Sequence, residues 1–385
     1  MQYRINPKNG DHISALGFGC MRFHKDEAEV ARHIRYAIEQ GVNYFDTAYI
    51  YSGSEALLGR ILAKDGLRDR VKIATKLPQH MVRKYADFER LFLAELERLQ
   101  TDRIDYYLMH MLTGPESWQR LVALGILDWI AEKKRAGQII NLGFSYHGGQ
   151  AAFAALIDAY DWDFCMIQYN YLDEHNQAGK AGLEHAAARN IPVMVMEPLR
   201  GGTLVKDLPP AAKAVFDGAP EKRSYAEWGL KWVLSHPQVL CVLSGMGTMA
   251  MVEENVRIAS NAAAGELSPA ELELYAGACE AIRGATRVGC TGCGYCMPCP
   301  KGVDIPACFA DLNDSVLQNR LKAMYWHVLK AHDHEAARCV QCGQCEPRCP
   351  QAIPIREKLQ QANRRLEGFP YGIIRFVMQR VIKLV

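Results

Sequence analysis

Short β-type runs alternate with helical patterns eight times between Leu16 and about Ser260. The candidate strands are residues 16–19, 42–46, 72–76, 104–110, 139–145, 164–169, 192–196 and 239–244. Between them, apolar residues recur three and four apart; from Phe88 to Leu99 the stripe is apolar except for Glu95. Eight strand–helix units in about 250 residues is typical of a (β/α)₈ barrel. We therefore predict an α/β fold with a barrel over residues 1–283, whose floor is capped by a hairpin around Asn9-Gly10.

Charge and hydropathy exclude several classes of protein. The 385 residues contain 45 Lys and Arg against 43 Asp and Glu, a net charge of +2. Nucleic-acid binding normally requires a strongly basic face, so we expect no nucleic-acid partner. No apolar run is long enough to cross a bilayer, and residues 1–10 are polar. We therefore expect a cytoplasmic protein.

Nine of the thirteen cysteines fall between Cys290 and Cys349. A disulfide scaffold would spread them through a small secreted domain, so this bunching indicates a metal site. The second run has the spacing C-x₂-C-x₂-C-x₃-C-P, which is typical of bacterial ferredoxins that bind 4Fe–4S clusters. Paired C-x₂-C units also suit tetrahedral zinc, which is the alternative. We predict a small helical, ferredoxin-like domain with two 4Fe–4S clusters over residues 284–357.

The ligands of the two clusters follow from the spacing of the cysteines. Three closely spaced thiolates wrap one cluster, while the fourth, followed by proline, reaches the other cluster. The first run is one residue shorter before its last cysteine. Crossover then predicts one cluster on Cys290, Cys293, Cys296 and Cys349. It predicts the second cluster on Cys339, Cys342, Cys345 and Cys299, with Cys308 as a structural residue.

The C-terminal segment, residues 358–385, is predicted to be a basic amphipathic tail. The last thirty residues carry seven basic residues against two acidic ones. From about Gly372, one helical face would carry Ile374, Val377, Met378, Val381, Ile382 and Val385. Such a helix packs on its own domain, engages a partner, or makes peripheral contact with an anionic membrane.

Four polar side chains lie where the predicted barrel strands end, which is where barrel enzymes place their active sites. Asp46, Lys76 and His110 end the second, third and fourth strands, and Tyr51 follows Asp46 by five residues. A free tyrosine has a pKa near 10, and an adjacent ammonium lowers that pKa. We predict that Tyr51 exchanges a proton with a carbonyl oxygen, aided by Lys76. Taken singly, each of these residues is as well explained by a salt bridge or by core packing.

The motifs around these residues resemble those of the aldo-keto reductase superfamily. Asp46-Thr47-Ala48-x-x-Tyr51, Thr75-Lys76-Leu77 and the run from Ile104 to His110 are similar, in order, to its catalytic-tetrad motifs. With the cysteine module, the chain resembles the branch that has a C-terminal double 4Fe–4S ferredoxin-like domain. The resemblance implies Tyr51 as general acid/base, supported by the other three residues, and hydride transfer between a nicotinamide and a small-molecule carbonyl or alcohol.

The resemblance also implies a nicotinamide site. Ser145 and Gln168 match positions that hold the carboxamide, and Met196 matches a position where the family often stacks an aromatic ring. The remaining contacts would come from the segment after the eighth strand: Gly245, Gly247 and Thr248 around the phosphates, and Glu254 and Asn255 at the adenine. No Lys or Arg lies between Gly245 and Glu254. Because a 2′-phosphate requires basic partners, this leans slightly towards NAD(H) over NADP(H).

The combination of a hydride site with iron–sulfur clusters leaves three functions open. Hydride transfer moves two electrons and a cluster carries one, so coupling them normally requires a flavin or another mediator. No doubly wound flavin motif is present, but a barrel can bind flavin without one. The clusters are then an electron relay to a ferredoxin-like redox partner, or structural elements of a carbonyl reductase. In the third function, the chain is an electron-transfer or interaction subunit whose barrel is not catalytic.

Overall fold

The computed structural model describes residues 1–316, 320–330 and 334–381. Its strands are β1 (Tyr3–Ile5), β2 (His12–Ser14), β3 (Leu16–Gly19), β4 (Tyr44–Asp46), β5 (Lys72–Leu77), β6 (Ile104–Leu112), β7 (Ile139–Tyr146), β8 (Phe164–Gln168), β9 (Val193–Met196) and β10 (Val239–Ser244). Its helices are α1 (Glu27–Glu39), α2 (Ser54–Lys64), α3 (Ala86–Leu99), α4 (Pro115–Ala123), α5 (Ile126–Arg135), α6 (Gln150–Asp158), α7 (Gly179–Ala188), α8 (Thr203–Lys206), α9 (Pro210–Asp217), α10 (Tyr225–Leu234), α11 (Met249–Asn261), α12 (Pro269–Ala285), α13 (Ile305–Asp314), α14 (Arg320–Lys330), α15 (Ile355–Ala362) and α16 (Tyr371–Phe376).

Eight parallel strands close into a barrel in the order β10-β3-β4-β5-β6-β7-β8-β9. The predicted (β/α)₈ barrel is therefore confirmed. Strand ends differ from the predicted ones by at most two residues; β4, for example, begins at Tyr44 rather than Val42. Three barrel strands, β4, β8 and β10, are buried throughout, and each of the other five has only one residue that is not buried, as expected where helices cover the outside of a parallel sheet.

The inward-facing side chains of the barrel strands determine where the candidate site lies. Tyr44, Ala74, Tyr106 and Leu108 belong to the buried interior cluster. Because side chains alternate between the two faces of a strand, the residue two positions later points inward as well. This alternation places Asp46, Lys76 and His110 above the interior core, at the carboxyl ends of β4, β5 and β6.

The N-terminal hairpin closes the other end of the barrel. Strands β1 and β2 pair antiparallel, with Tyr3 opposite Ser14. The inward-pointing Tyr106 donates its hydroxyl hydrogen bond to Asp11 at 2.9 Å and accepts one from the Asn6 amide at 3.2 Å. The hairpin loop thus supplies the partners of a buried hydroxyl, as expected for a floor cap.

The chain divides into two compact units: residues 1–199 with 223–271, and residues 200–222 with 272–385. The first unit holds the barrel. The second holds α8, α9 and α12–α16, together with both cysteine runs. Its core includes Val303, Ile305, Phe309 and Leu312, and six of the predicted ligand cysteines pack against that core.

The described part of the C-terminal tail packs within the second unit. Helix α16 continues as a wide helical turn over Val377–Val381. Tyr371 and Met378 are buried against Met324 and Val328 of α14. Ile382 and Val385, which were predicted to share this face, lie outside the described residues. No helix among the described residues has the length and apolar character needed to cross a membrane.

A buried histidine in the second unit predicts a pH-dependent stability. His327 is 0% exposed, with Nδ1 2.8 Å from Asp311 and Nε2 2.9 Å from Glu367, while the Tyr371 ring also faces it. Burial lowers the pKa of His327, but the hydrogen bonds and charges of the two carboxylates outweigh burial and raise the pKa to about 9. The folded protein therefore favours the protonated ring. This stabilisation is complete below pH 6.5 and is lost as the pH rises towards 9.

We expect H327Q to reduce the stability most at pH 6 and least at pH 9. A rise in pKa from 6.5 to about 9 corresponds to about 3 kcal/mol at most. The measurement is the unfolding midpoint of anaerobically prepared protein at pH 6, 7.5 and 9. H12Q, at an exposed histidine of the hairpin, is the control. Equal destabilisation by H327Q at all three pH values would contradict a charged His327.

Candidate active site and cluster ligands

A buried ion pair lies at the carboxyl ends of β4 and β5. Lys76 Nζ lies 2.7 Å from Asp46 Oδ2 and donates a second hydrogen bond to the Thr47 carbonyl at 2.6 Å. Lys76 is 1% and Asp46 5% exposed. Burial raises the pKa of the Asp46 carboxyl, and the Lys76 ammonium partly offsets that rise. Two of the three N–H bonds of Lys76 are thereby fixed, which fixes the position of its charge.

Tyr51 and His110 meet beside this ion pair. Lys76 Nζ lies 5.1 Å from the centre of the Tyr51 ring. The rings of Tyr51 and His110 are 6.0 Å apart and nearly perpendicular. Tyr51 is partly exposed, whereas His110 is buried. The structure therefore brings all four predicted catalytic residues into one place on the barrel.

His110 is held in its neutral form. Burial lowers the pKa of its imidazole well below the usual 6.5, and the positive charge of Lys76 lowers it further. Its Nδ1 is buried and has no hydrogen-bond partner among the described residues. A neutral imidazole has one donor and one acceptor nitrogen, so His110 can direct a substrate oxygen without adding charge to the site.

Residues that the sequence analysis missed hold the loop that carries Tyr51. The Ser54 backbone amide donates a hydrogen bond to the Tyr51 carbonyl at 3.0 Å, and the Ser54 hydroxyl donates to the Cys20 carbonyl at 2.8 Å. Glu55 is 1% exposed; it accepts hydrogen bonds from Thr75 at 2.6 Å and from Arg98 at 3.1 Å. This network ties the start of α2 to β5 and α3, and so fixes Tyr51 relative to Lys76. No motif in the sequence indicates these pairs.

A bulge in β6 lies directly after His110. Its pairing with β7 shifts register between Met109 and Leu112. Met111 has φ +57°, a conformation that is costly for a side chain of this type. Its amide donates to the Ser145 hydroxyl at 2.9 Å. Bulges redirect side chains and are frequent beside active sites.

The predicted carboxamide residues lie on the same interior face as the tetrad. Ser145 is buried at the end of β7, and its hydroxyl, already an acceptor from Met111, keeps a hydrogen to donate. Gln168, at the end of β8, donates to Asp173 at 2.8 Å and accepts from Gln177. Met196 ends β9 beside Gln168 and packs against the interior core. The hydrogen-bonding groups of Ser145 and Gln168 fit a planar carboxamide. Ser145 is the better suited of the two to bind it, because its hydroxyl hydrogen is still available.

Gln177 connects Gln168 to a further histidine that the sequence analysis did not single out. The Gln177 amide oxygen lies 3.2 Å from Nδ1 of His147, which follows β7 and is buried. Burial lowers the pKa of His147 to about 4. At neutral pH, His147 and His110 are therefore both uncharged, and Lys76 is the fixed cation of the tetrad.

The predicted phosphate loop joins β10 to α11. Thr248 caps α11, with its hydroxyl accepting from the Met251 amide at 3.3 Å. A Cβ added to Gly247 would meet no atom within 4 Å, and one added to Gly245 would meet only the Gly19 carbonyl, at 3.7 Å. The loop backbone is therefore open to a ligand, and the amides at the start of α11 fit an anion.

The predicted adenine residues lie further along α11. Glu254 is partly exposed. Asn255 is buried and donates to the Ser244 hydroxyl at 2.9 Å, which ties α11 to the end of β10. The first basic residue after the loop is Arg257, whose guanidinium lies 2.7 Å from Glu227. Arg257 is the only basic residue of α11. It could pair with a 2′-phosphate only if its ion pair with Glu227 broke.

The cysteines of the second unit form two groups around two small cavities. The first cavity is lined by Cys290, Cys293, Cys296 and Cys349. The second is lined by Cys299, Cys339, Cys342 and Cys345, and Cys296 lines both cavities. Cys349 therefore joins the first cysteine run, and Cys299 joins the second. Cys308 is buried in the core of this unit and lines neither cavity.

The two cavities together gather all eight cysteines of the two runs, which is the number of thiolates that two 4Fe–4S clusters require. Burial raises the pKa of Cys290 to about 11 and that of Cys296 to about 12. Such thiols become thiolates when a metal supplies the compensating charge.

Comparisons with known proteins agree with this division of the chain. The model of the Aldo/keto reductase family matches residues 15–267, and the model of the 4Fe–4S dicluster domain matches residues 289–353. Methylglyoxal reductase YeaE of Escherichia coli (strain K12) is 29% identical over 304 residues, covering 74% of this chain and 98% of that protein. Protein tas of the same strain is 29% identical over 241 residues, covering 53% and 70%. The solved aldo-keto reductase AKR11C1 from Bacillus halodurans, in its holo form, superposes with a TM-score of 0.61 at 26% identity, covering 72% of this chain and 96% of that one.

Proposed function

Because this chain belongs to the aldo/keto reductase family, we propose that it interconverts a small-molecule carbonyl and alcohol by hydride transfer with a nicotinamide cofactor. The observation that carries the proposal is the convergence of Tyr51 and His110 on the buried Lys76–Asp46 pair. A subunit whose barrel had lost catalysis would not need this arrangement at the end of the barrel.

Tyr51 gives its phenolic proton to the substrate oxygen as that oxygen gains negative charge. The Lys76 ammonium, fixed by Asp46 and the Thr47 carbonyl, stabilises the phenolate that remains. His110 is neutral and orients the substrate oxygen by a hydrogen bond, so the positive charge stays beside the phenol. In the reverse direction, the phenolate takes the proton from the alcohol.

A bound nicotinamide supplies or accepts the hydride. Ser145, Gln168 and Met196 would hold its ring end; Gly245, Gly247 and Thr248 would hold the phosphates, and Glu254 and Asn255 the adenine. With Arg257 paired to Glu227, the open loop supports NAD(H) rather than NADP(H).

We also propose that the two cysteine groups hold two 4Fe–4S clusters, which store single electrons and connect the chain to an external redox partner. The dicluster domain supports this content. Coupling to a two-electron hydride site would require a mediator such as flavin.

A peripheral membrane contact through the tail is a separate proposal, supported by the exposed side chains of Phe369, Ile373 and Phe376. We also propose that the protein is cytoplasmic.

The experiment is anaerobic purification followed by analysis of iron, sulfide, flavin and nicotinamide-dependent turnover. We expect about eight irons and eight sulfides per chain. We also expect reduction of simple aldehydes or ketones with NADH at least as efficient as with NADPH. Clusters without nicotinamide binding or turnover on any carbonyl would instead support the subunit whose barrel is not catalytic.

A further inference from the structure

A pocket in the second unit is lined by four arginines. Arg287, Arg320, Arg364 and Arg365 surround an open concavity of about 420 Å³, together with Leu312 and Gln361. The four come from three separate parts of the chain, and no acidic side chain lines the concavity. The chain has a net charge of only +2, but positive charge is concentrated at this pocket.

The fold fixes the guanidinium groups of Arg320 and Arg365, and none of the four charges is compensated by a carboxylate of the described residues. Arg320 donates to the carbonyls of Arg364 and Arg365 at 3.1 Å each, and the Arg365 guanidinium donates to the Ser315 hydroxyl at 2.7 Å. None of the four arginines has a carboxylate partner among the residues that the structure describes. Like charges held together raise the local positive potential and attract an anionic surface.

The pocket lies over the core that carries the clusters. Leu312 lines the pocket and also belongs to the core against which the ligand cysteines pack. Arg287 precedes Cys290 by three residues, so their Cα atoms are at most about 11 Å apart. A protein seated on the arginines would come close to the cluster proposed on Cys290, Cys293, Cys296 and Cys349.

We infer that the four-arginine pocket is the docking site for the carboxylate-rich face of a one-electron carrier protein. The inference rests on the proposed cluster content and identifies where the external partner binds. In the transfer, the reduced carrier loses one electron and the cluster gains it, with no bond or proton exchanged. An acidic protein face, rather than nucleic acid or lipid, suits a compact concavity of four charges beside a redox centre.

The test compares two double variants that each remove two positive charges. R287Q/R364Q changes arginines whose side chains make little contact with the rest of the fold: Arg287 is exposed, and Arg364 donates only to the Gln360 carbonyl at 3.3 Å. R70Q/R135Q removes two exposed arginines of the barrel unit and is the control. The partner used is an acidic two-cluster bacterial ferredoxin. Its affinity for the holoenzyme is measured by calorimetry, and its rate of cluster reduction by stopped flow.

At low ionic strength, we expect R287Q/R364Q to bind this ferredoxin about tenfold more weakly than the control variant and to be reduced correspondingly more slowly. The difference should disappear near 0.5 M salt, where exposed charges are screened. Reduction by dithionite, which needs no docking, should give the same cluster spin count in both variants. Equal ferredoxin affinities would overturn the inference. So would arginine-dependent binding to anionic phosphatidylserine vesicles with unchanged ferredoxin binding. Neither measurement uses a carbonyl substrate, so failure of the proposed hydride transfer would be seen separately.

Discussion

Replacing Tyr51 with phenylalanine is expected to lower kcat for carbonyl reduction by about a thousandfold, since a positioned general acid contributes about 10²–10⁴. The ring remains in place beside Lys76 and His110, so the packing that brings the rings within 6.0 Å of each other is preserved. Only the proton donor is removed. The measurement is steady-state reduction with NADH, alongside cofactor affinity from quenching of protein fluorescence, which should change little.

Tyr49→Phe provides the matched control for this substitution. Tyr49 is two residues away, and its ring stacks against the Arg98 guanidinium at 4.2 Å rather than facing Lys76. Loss of its hydroxyl should leave kcat within about twofold. If Y51F retained wild-type turnover, or if Y49F lost as much activity as Y51F, Tyr51 would not be the general acid.

The barrel and the iron–sulfur domain could be predicted from the sequence, the first from the eight alternating strand and helix patterns and the second from the spacing of the cysteines. The predicted strands place Asp46, Lys76 and His110 at one end of a barrel, and in the structure each lies at the carboxyl end of its parallel strand or within two residues of it. The side chains that fix their geometry were not predictable in the same way. Glu55 meets Thr75 across twenty residues, and Met111 donates to Ser145 across thirty-four. Such pairs depend on how α2 packs on β5 and on the β6 bulge, neither of which leaves a local pattern.

The protonation states of buried ionisable residues could not be predicted from the sequence either. Glu95 falls in the apolar stripe of α3, where a charge looks out of place. In the structure it is buried and accepts a hydrogen bond from Tyr107 at 2.7 Å. Burial raises the pKa of Glu95 well above its usual value, so the site favours the neutral acid. His327, between Asp311 and Glu367, has its pKa shifted in favour of the charged form instead. The sequence places these residues on helices, but only their tertiary partners decide their protonation.

Cys349→Ala is expected to remove one 4Fe–4S cluster and leave the other. Cys349 lies in the cavity with Cys290, Cys293 and Cys296, although it belongs by sequence to the second run. The measurement is the number of reduced-cluster spins per chain by electron paramagnetic resonance. We expect two in the unmodified protein, one in C349A, and two in C308A, because Cys308 lines neither cavity.

Pairing C349A with a second substitution distinguishes crossed ligation from ligation within each run. If Cys290 and Cys349 hold the same cluster, C290A/C349A removes nothing beyond that cluster and retains one spin. Because Cys339 lines the other cavity, C339A/C349A should then lose both spins. Ligation within each run predicts the reverse: no spin in C290A/C349A and one in C339A/C349A. Crossed ligation and ligation within each run therefore predict opposite results for these two double variants. In either case one double variant keeps one cluster signal, and that signal shows that the second unit has folded.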